Sequence, residues 1–169
     1  MFRKLIFLLA VTSFFVGCHL SAASPSGELA KATARVKINQ PVGNKVPIPL
    51  GQKLTIVNVF DEFSTGCPTG NRFETMERLN PLRPTGTAML LIFSEKHFSV
   101  QDMDNFKAIL PMADSLVQGD IEAMTPHLTN GKLLVVLDSN GSVIWHEKPD
   151  MAEQQVFDEI SKLIQTTNK

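Results

Sequence analysis

The chain has 169 residues, 43% of them hydrophobic, with 16 basic against 17 acidic side chains and two cysteines, Cys18 and Cys67. If Arg3 and Lys4 leave with a processed N-terminus, 14 basic face 17 acidic residues and the net charge moves from −1 to −3, a balance with no electrostatic footprint for nucleic acid or acidic lipid surfaces. Processing also leaves Cys67 as the one thiol of the folded part, which excludes a disulfide scaffold.

Arg3 and Lys4 precede the uncharged apolar stretch Leu5 to Val16, then Gly17-Cys18 and the small residues Ser21, Ala22 and Ala23. The stretch is short of the roughly 20 apolar residues that cross a bilayer, so residues 1–17 read as a secretory signal, with an alternative end at 23. Phe15-Val16-Gly17-Cys18 resembles a bacterial lipobox with Phe15 in place of the usual aliphatic residue, which implies acylation of Cys18; Ser21-Ala22-Ala23 would suit ordinary signal peptidase instead. Residues 18–35, poor in large apolar groups, read as a flexible tether, and 36–169 as one domain.

Leu54 to Phe60 is a β-branched run of strand length. Beyond Cys67, Phe73, Met76 and Leu79 set out one face of a helix that Pro81 and Pro84 stop. Ala88 to Phe93 is apolar without interruption, the pattern of a central parallel strand covered on both faces. A helix is expected over Asp102 to Leu110, then an irregular stretch to Gly131 that includes Leu116-Val117, Pro126 and His127. Leu133 to Leu137, the turn Asp138-Ser139-Asn140-Gly141 and Ser142 to Trp145 predict a hairpin, because Asn-Gly supplies positive backbone angles. Val156, Ile160, Leu163 and Ile164 stripe a terminal helix. The order predicts an α/β fold, a central mixed sheet of parallel strands plus a C-terminal antiparallel hairpin, flanked by helices.

Cys67 lies in Phe63-Ser64-Thr65-Gly66-Cys67-Pro68-Thr69-Gly70, between a strand and a helix. Unpaired N–H groups at a helix start favour thiolate over thiol, and Pro68 suits the first helical position, so Cys67 is expected on the cap. A small buried cysteine of no chemical consequence is the alternative. Ser64 supplies a hydroxyl near the sulfur, and Lys132 or Arg72 a counter-charge, whereas Asp61 and Glu62 would raise the thiol pKa if they faced it. His127 could reach Cys67 if its loop folds over the helix start, but a solvent-facing position is the plainer reading. His97 and His146 are expected at the surface and Trp145 in packing.

The order of elements and the cysteine motif resemble the thioredoxin-like superfamily and, within it, the redoxins. Phe60 through Thr69 is similar to the peroxiredoxin motif Pro-x-x-x-Thr-x-x-Cys, with Ser64 for the threonine and Phe60 for the proline. Lys132 is the nearest match to the family's arginine, without the planar fork of a guanidinium. Gly70 stands where thiol-disulfide reductases carry their second cysteine, so exchange between two thiols of one chain is excluded. Asn71 replaces the second cysteine of Sco-type copper chaperones, which leaves Cys67 and His127 as too few ligands, and no metal or other cofactor is expected. The signal and the lipobox-like segment lead to the expectation of an exported envelope or periplasmic protein, lipid-anchored if Cys18 is acylated. Its Cys67 would act on a peroxide or an oxidised protein and be restored by an external thiol. The alternative is a non-catalytic envelope lipoprotein that binds a partner protein.

Overall fold

The computed structural model describes residues 25–40, 44–62 and 72–167. Its helices are α1 (Pro25–Arg35), α2 (Phe73–Leu79), α3 (Val100–Ile109) and α4 (Glu153–Thr167). Its strands are β1 (Lys37–Asn39), β2 (Lys45–Pro47), β3 (Leu54–Phe60), β4 (Thr87–Ser94), β5 (Ser115–Asp120), β6 (Lys132–Asp138) and β7 (Val143–His146). Among the described residues they form one sheet in the order β2-β1-β5-β4-β3-β6-β7. β3 runs parallel to β4 and antiparallel to β6, and β4 runs parallel to β5.

The two-residue period of a strand sorts the core into two layers. Leu54, Ile56 and Phe60 of β3, Met89, Leu91 and Phe93 of β4, and Leu134 and Val136 of β6 pack under α2, α3 and α4. Val57 and Val59, Leu90 and Ile92, and Leu133, Val135 and Leu137 face the other way, onto Leu29 and Ala32 of α1 and Met124. Every residue of β3 is buried, the polar Thr55 and Asn58 as well as its apolar side chains. α2 buries Met76 and Leu79, presents Glu74 and Glu77 to solvent, and passes at Asn80-Pro81 into a 3-10 turn, because a proline cannot continue the α ladder. Ser99 and Asp102 close a capping box at the start of α3. On α4, Val156, Ile160 and Ile164 recur at the four-residue interval that keeps them on one buried face.

Two parts of the sequence reading are corrected. The flexible tether expected over residues 18–35 does not extend through 25–35, which are α1; Leu29 is 2% exposed there, Ala32 is buried beside it, and Thr33 Oγ1 donates to Leu29 O at 2.8 Å. Among the described residues the folded unit therefore extends N-terminal of Val36, as far as Pro25. The irregular stretch before Gly131 contains β5 and a 3-10 turn over Glu122–His127, held by pairing to β4 on one side and β1 on the other. No helix among the described residues is long and apolar enough to cross a membrane. The mixed sheet with helices on both faces is a thioredoxin-like fold.

Candidate active site

The site is built where β3 ends. Phe60 pairs across the sheet with Lys132, the first residue of β6. Just before Lys132, Asn130 (φ 52°) and Gly131 (φ 73°) make a tight turn closed by reciprocal bonds, Thr129 N to Lys132 O at 2.9 Å and Lys132 N to Thr129 O at 3.2 Å. Two successive left-handed residues are what Asn-Gly supplies at least cost. The turn sits against the chain leaving β3: Asp61 N donates to Gly131 O at 2.8 Å, and a Cβ on Gly131 would lie 2.9 Å from Glu62 Cγ.

The chain re-enters at Arg72, in the left-handed region at φ 60° and only 8% exposed. Its Nε and Nη2 donate to Glu147 Oε1 at 2.9 and 2.6 Å, and Nη2 also donates to Met151 O at 2.6 Å. In the first turn of α2, Thr75 donates its backbone N–H and its hydroxyl to Glu153 Oε1 at 3.1 and 2.8 Å, so a carboxylate from α4 satisfies an N-terminal donor of α2. Both ends of the segment that carries Cys67 are thus fastened at one end of the sheet, one to the 129–132 turn and the other to the loop between β7 and α4.

Lys132 is half-buried in this charged group. Burial holds its pKa below the ordinary lysine value, Arg72 pushes the same way, and the carboxylates of Glu147 and Glu153 oppose them. Because β6 alternates, Lys132 lies on the face of Leu134, toward α2 and α4. Phe60, which stands where the peroxiredoxin motif has proline, is fully buried, its ring 4.9 Å from that of Phe93 and 5.3 Å from that of Phe73.

Of the residues singled out from sequence, Cys18, Ser64 and Cys67 lie outside the described residues, as do Pro68, Gly70 and Asn71. Lys132 and Arg72 are brought together. His127 is half-buried in the 3-10 turn, and His97 is exposed, 3.7 Å from Asp61 Oδ1. Trp145 packs on the α4 side and donates Nε1–H to Glu159 Oε2 at 2.7 Å, a structural role. Glu147 and Glu153 were not anticipated. A signal for Glu147 exists: continuing the hairpin alternation past Trp145 puts residue 147 on the same face, and its N–H donates to Leu134 O at 2.8 Å.

No family model and no curated protein matches the chain. Solved structures do share its fold. Copper-bound Sco1 from yeast superimposes with a TM-score of 0.56 at 12% identity over 77% of this chain and 90% of that one. The bacterioferritin comigratory protein of Xanthomonas campestris, described for its alkyl peroxide reduction activity, gives 0.54 at 14% identity over 82% and 96%. A mutant of peroxiredoxin Q from Xanthomonas campestris gives 0.55 at 15% identity over 82% and 95%. At these identities the likeness is one of fold, and the chemistry rests on the side chains above.

Proposed function

We propose that this chain is an exported thioredoxin-fold protein that performs thiol redox chemistry through Cys67, with Cys18 as the point of lipid attachment in a bacterial envelope. One observation carries the reading. The segment bearing Cys67 is pinned at Asp61 and at Arg72 to the end of the sheet that holds Lys132, a half-buried cation. Cys67 is five residues from Glu62 and five from Arg72, so chain length keeps it within roughly 18 Å of both. A cation in a partly desolvated site favours a thiolate, and the thiolate is the nucleophile.

The chemistry follows from having no second sulfur at Gly70. The Cys67 thiolate attacks the distal oxygen of a hydroperoxide ROOH, the O–O bond breaks as the S–O bond of the sulfenic acid forms, and the displaced alkoxide takes one proton to give ROH. An external thiol then condenses with the sulfenic acid, releasing water and forming a mixed disulfide that a second external thiol opens. The alkyl peroxide reduction described for the Xanthomonas relative makes organic hydroperoxides the first substrates to try. A sulfenic-acid probe is expected to label wild-type Cys67 only after peroxide and to leave Cys67→Ser unlabelled; a wild type that stays unlabelled overturns the peroxidase reading. The charge balance of the site favours a second reading. Arg72 and Lys132 are matched by Glu147 and Glu153, which suits a non-catalytic domain that binds a partner protein in the envelope.

A further inference from the structure

Between β7 and α4 the chain turns through Lys148-Pro149-Asp150-Met151, and a sulfur helps to close the turn. Met151 N donates to Lys148 O at a long 3.4 Å, and Lys148 N donates to Met151 Sδ at 3.2 Å. Asp150 follows Pro149 at φ 65°, a conformation that costs a residue other than glycine, so the turn is strained and leans on a weak sulfur acceptor. This turn holds Arg72. Met151 O accepts from Arg72 Nη2 at 2.6 Å, and Arg72 O accepts from Met76 N at 3.0 Å in the first turn of α2. Arg72, itself left-handed at φ 60°, keeps that backbone only while its surroundings fix it. Of the six methionines among the described residues Met151 is the most exposed, at 9%, against 4% or less for Met76, Met89, Met103, Met112 and Met124. Lys148, Pro149, Asp150 and Ala152 beside it are exposed, so a small local opening brings its sulfur to solvent.

We propose that Met151 is a modification site, the methionine that a hydroperoxide converts to its sulfoxide, and that the conversion loosens the grip of the 148–151 turn on Arg72. The thioether sulfur attacks the distal oxygen of ROOH and the O–O bond breaks as the S–O bond forms. Sulfur loses two electrons, the peroxide is reduced, and the proton of the transferred hydroxyl passes to the alkoxide to give ROH. The sulfoxide oxygen is a stronger acceptor than the thioether, and the Lys148 N–H already aimed at the sulfur is the donor at hand. A hydrogen bond to that oxygen takes about 2.9 Å of its own, so the sulfur withdraws from the amide and the turn opens. A polar group also enters the core layer that Met151 shares with Val156 and Ile160 of α4. Arg72 keeps its two bonds to Glu147 Oε1 and loses the one to Met151 O, so it is loosened and not released. No step requires Cys67, and every group involved lies among the described residues.

The folded mature chain is treated with excess tert-butyl hydroperoxide and its methionines are followed by peptide mass spectrometry. Met151 is expected to oxidise at least about tenfold faster than any of the other five, and the difference to vanish in urea, because opening one turn costs less than opening the core. Equal rates in the folded chain overturn the proposal. The consequence is read by amide hydrogen exchange. After oxidation Lys148 and Met76 are expected to exchange about threefold faster, with Ile56 in β3 unchanged. Sulfoxide at Met151 with unaltered exchange at Lys148 and Met76 overturns the proposal as well. Cys67→Ser is expected to respond as the wild type does, and a response lost with Cys67 overturns it too. Met151→Leu keeps the carbonyl and nearly the volume but has no sulfur to oxidise. Exchange at its Met76 is expected not to respond to peroxide, and an equal response overturns the assignment. Should that variant fail to fold, reversal decides: methionine sulfoxide reductases, one for each epimer, are expected to restore the original rates, and exchange that stays fast after the sulfoxide is reduced overturns the proposal.

Discussion

Arg72 and Glu147 are both more than nine-tenths buried, and the energetics of a charge pair in that position are asymmetric. Removing one partner strands the other charge away from water, whereas replacing both with apolar groups removes the desolvation cost along with the attraction. Glu147→Ala is therefore expected to lower the unfolding free energy by about 3–5 kcal/mol, read from the urea midpoint, and Arg72→Met with Glu147→Leu to fall within about 1 kcal/mol of wild type. If the double variant is as unstable as the single one, the pair contributes net stability and this account of it fails. Lys132 shows the opposite balance. Its folded pKa lies below the value of 10.5 for a free lysine, so folding penalises the charged form. That penalty is fully present below the folded pKa and fades as pH climbs through the interval up to 10.5, so stability from this group rises with pH there. Lys132→Met is expected to be more stable than wild type at pH 7 and to lose the advantage as pH approaches 10.5, while its Cys67 reacts more slowly with peroxide. Equal urea midpoints for the two proteins at neutral pH would show that the ammonium reaches water freely.

The turn that presents Lys132 depends on Gly131 twice over, through its φ of +73° and through the 2.9 Å that separates a notional Cβ from Glu62 Cγ. Gly131→Ala is expected to cost about 1–2 kcal/mol and to slow Cys67 labelling, because β6 would have to shift where it meets the end of β3. A variant with wild-type stability would mean that Glu62 yields without disturbing the strand. The elements around this turn differ in how openly their sequences declare them. β3 is a largely β-branched run, β4 and β6 carry the uninterrupted apolar stretches from Ala88 to Phe93 and from Leu133 to Leu137, and the hairpin announces itself through Asn140-Gly141, so the core of the fold was legible from residues alone. β5 was not, because Ser115-Leu116-Val117-Gln118-Gly119-Asp120 alternates poorly and is a strand through pairing on both edges. α1 was hidden by its small residues, since only Leu29 among them has the bulk that marks a core face. Cys67 was conspicuous as a motif. The charges around its segment were not, for Arg72 and Glu147 are 75 positions apart and no local pattern links them.

At the scale of the molecule, α1 changes what the N-terminal segment does. It adds Leu29 and Ala32 to the core layer formed by β3, β4 and β6, on the face away from α2 and α4. Cleavage before Cys18 or before Ser24 leaves this helix whole, since it starts at Pro25. Were Cys18 acylated, the seven residues from 18 to 24 would reach roughly 25 Å at full extension, so the domain would ride close to the membrane instead of swinging on a long tether. This makes α1 a load on stability, which can be measured. Leu29, at 2% exposure, is expected to cost about 2–4 kcal/mol on change to alanine. A chain beginning at Ser24 is expected to unfold at the same urea concentration as one beginning at Cys18, whereas a chain beginning at Val36 should unfold earlier by at least the amount lost in Leu29→Ala. Deleting the helix removes Ala32 and the Thr33 bond as well as the leucine, so a Val36 chain as stable as the Ser24 chain would make residues 25–35 a tether after all.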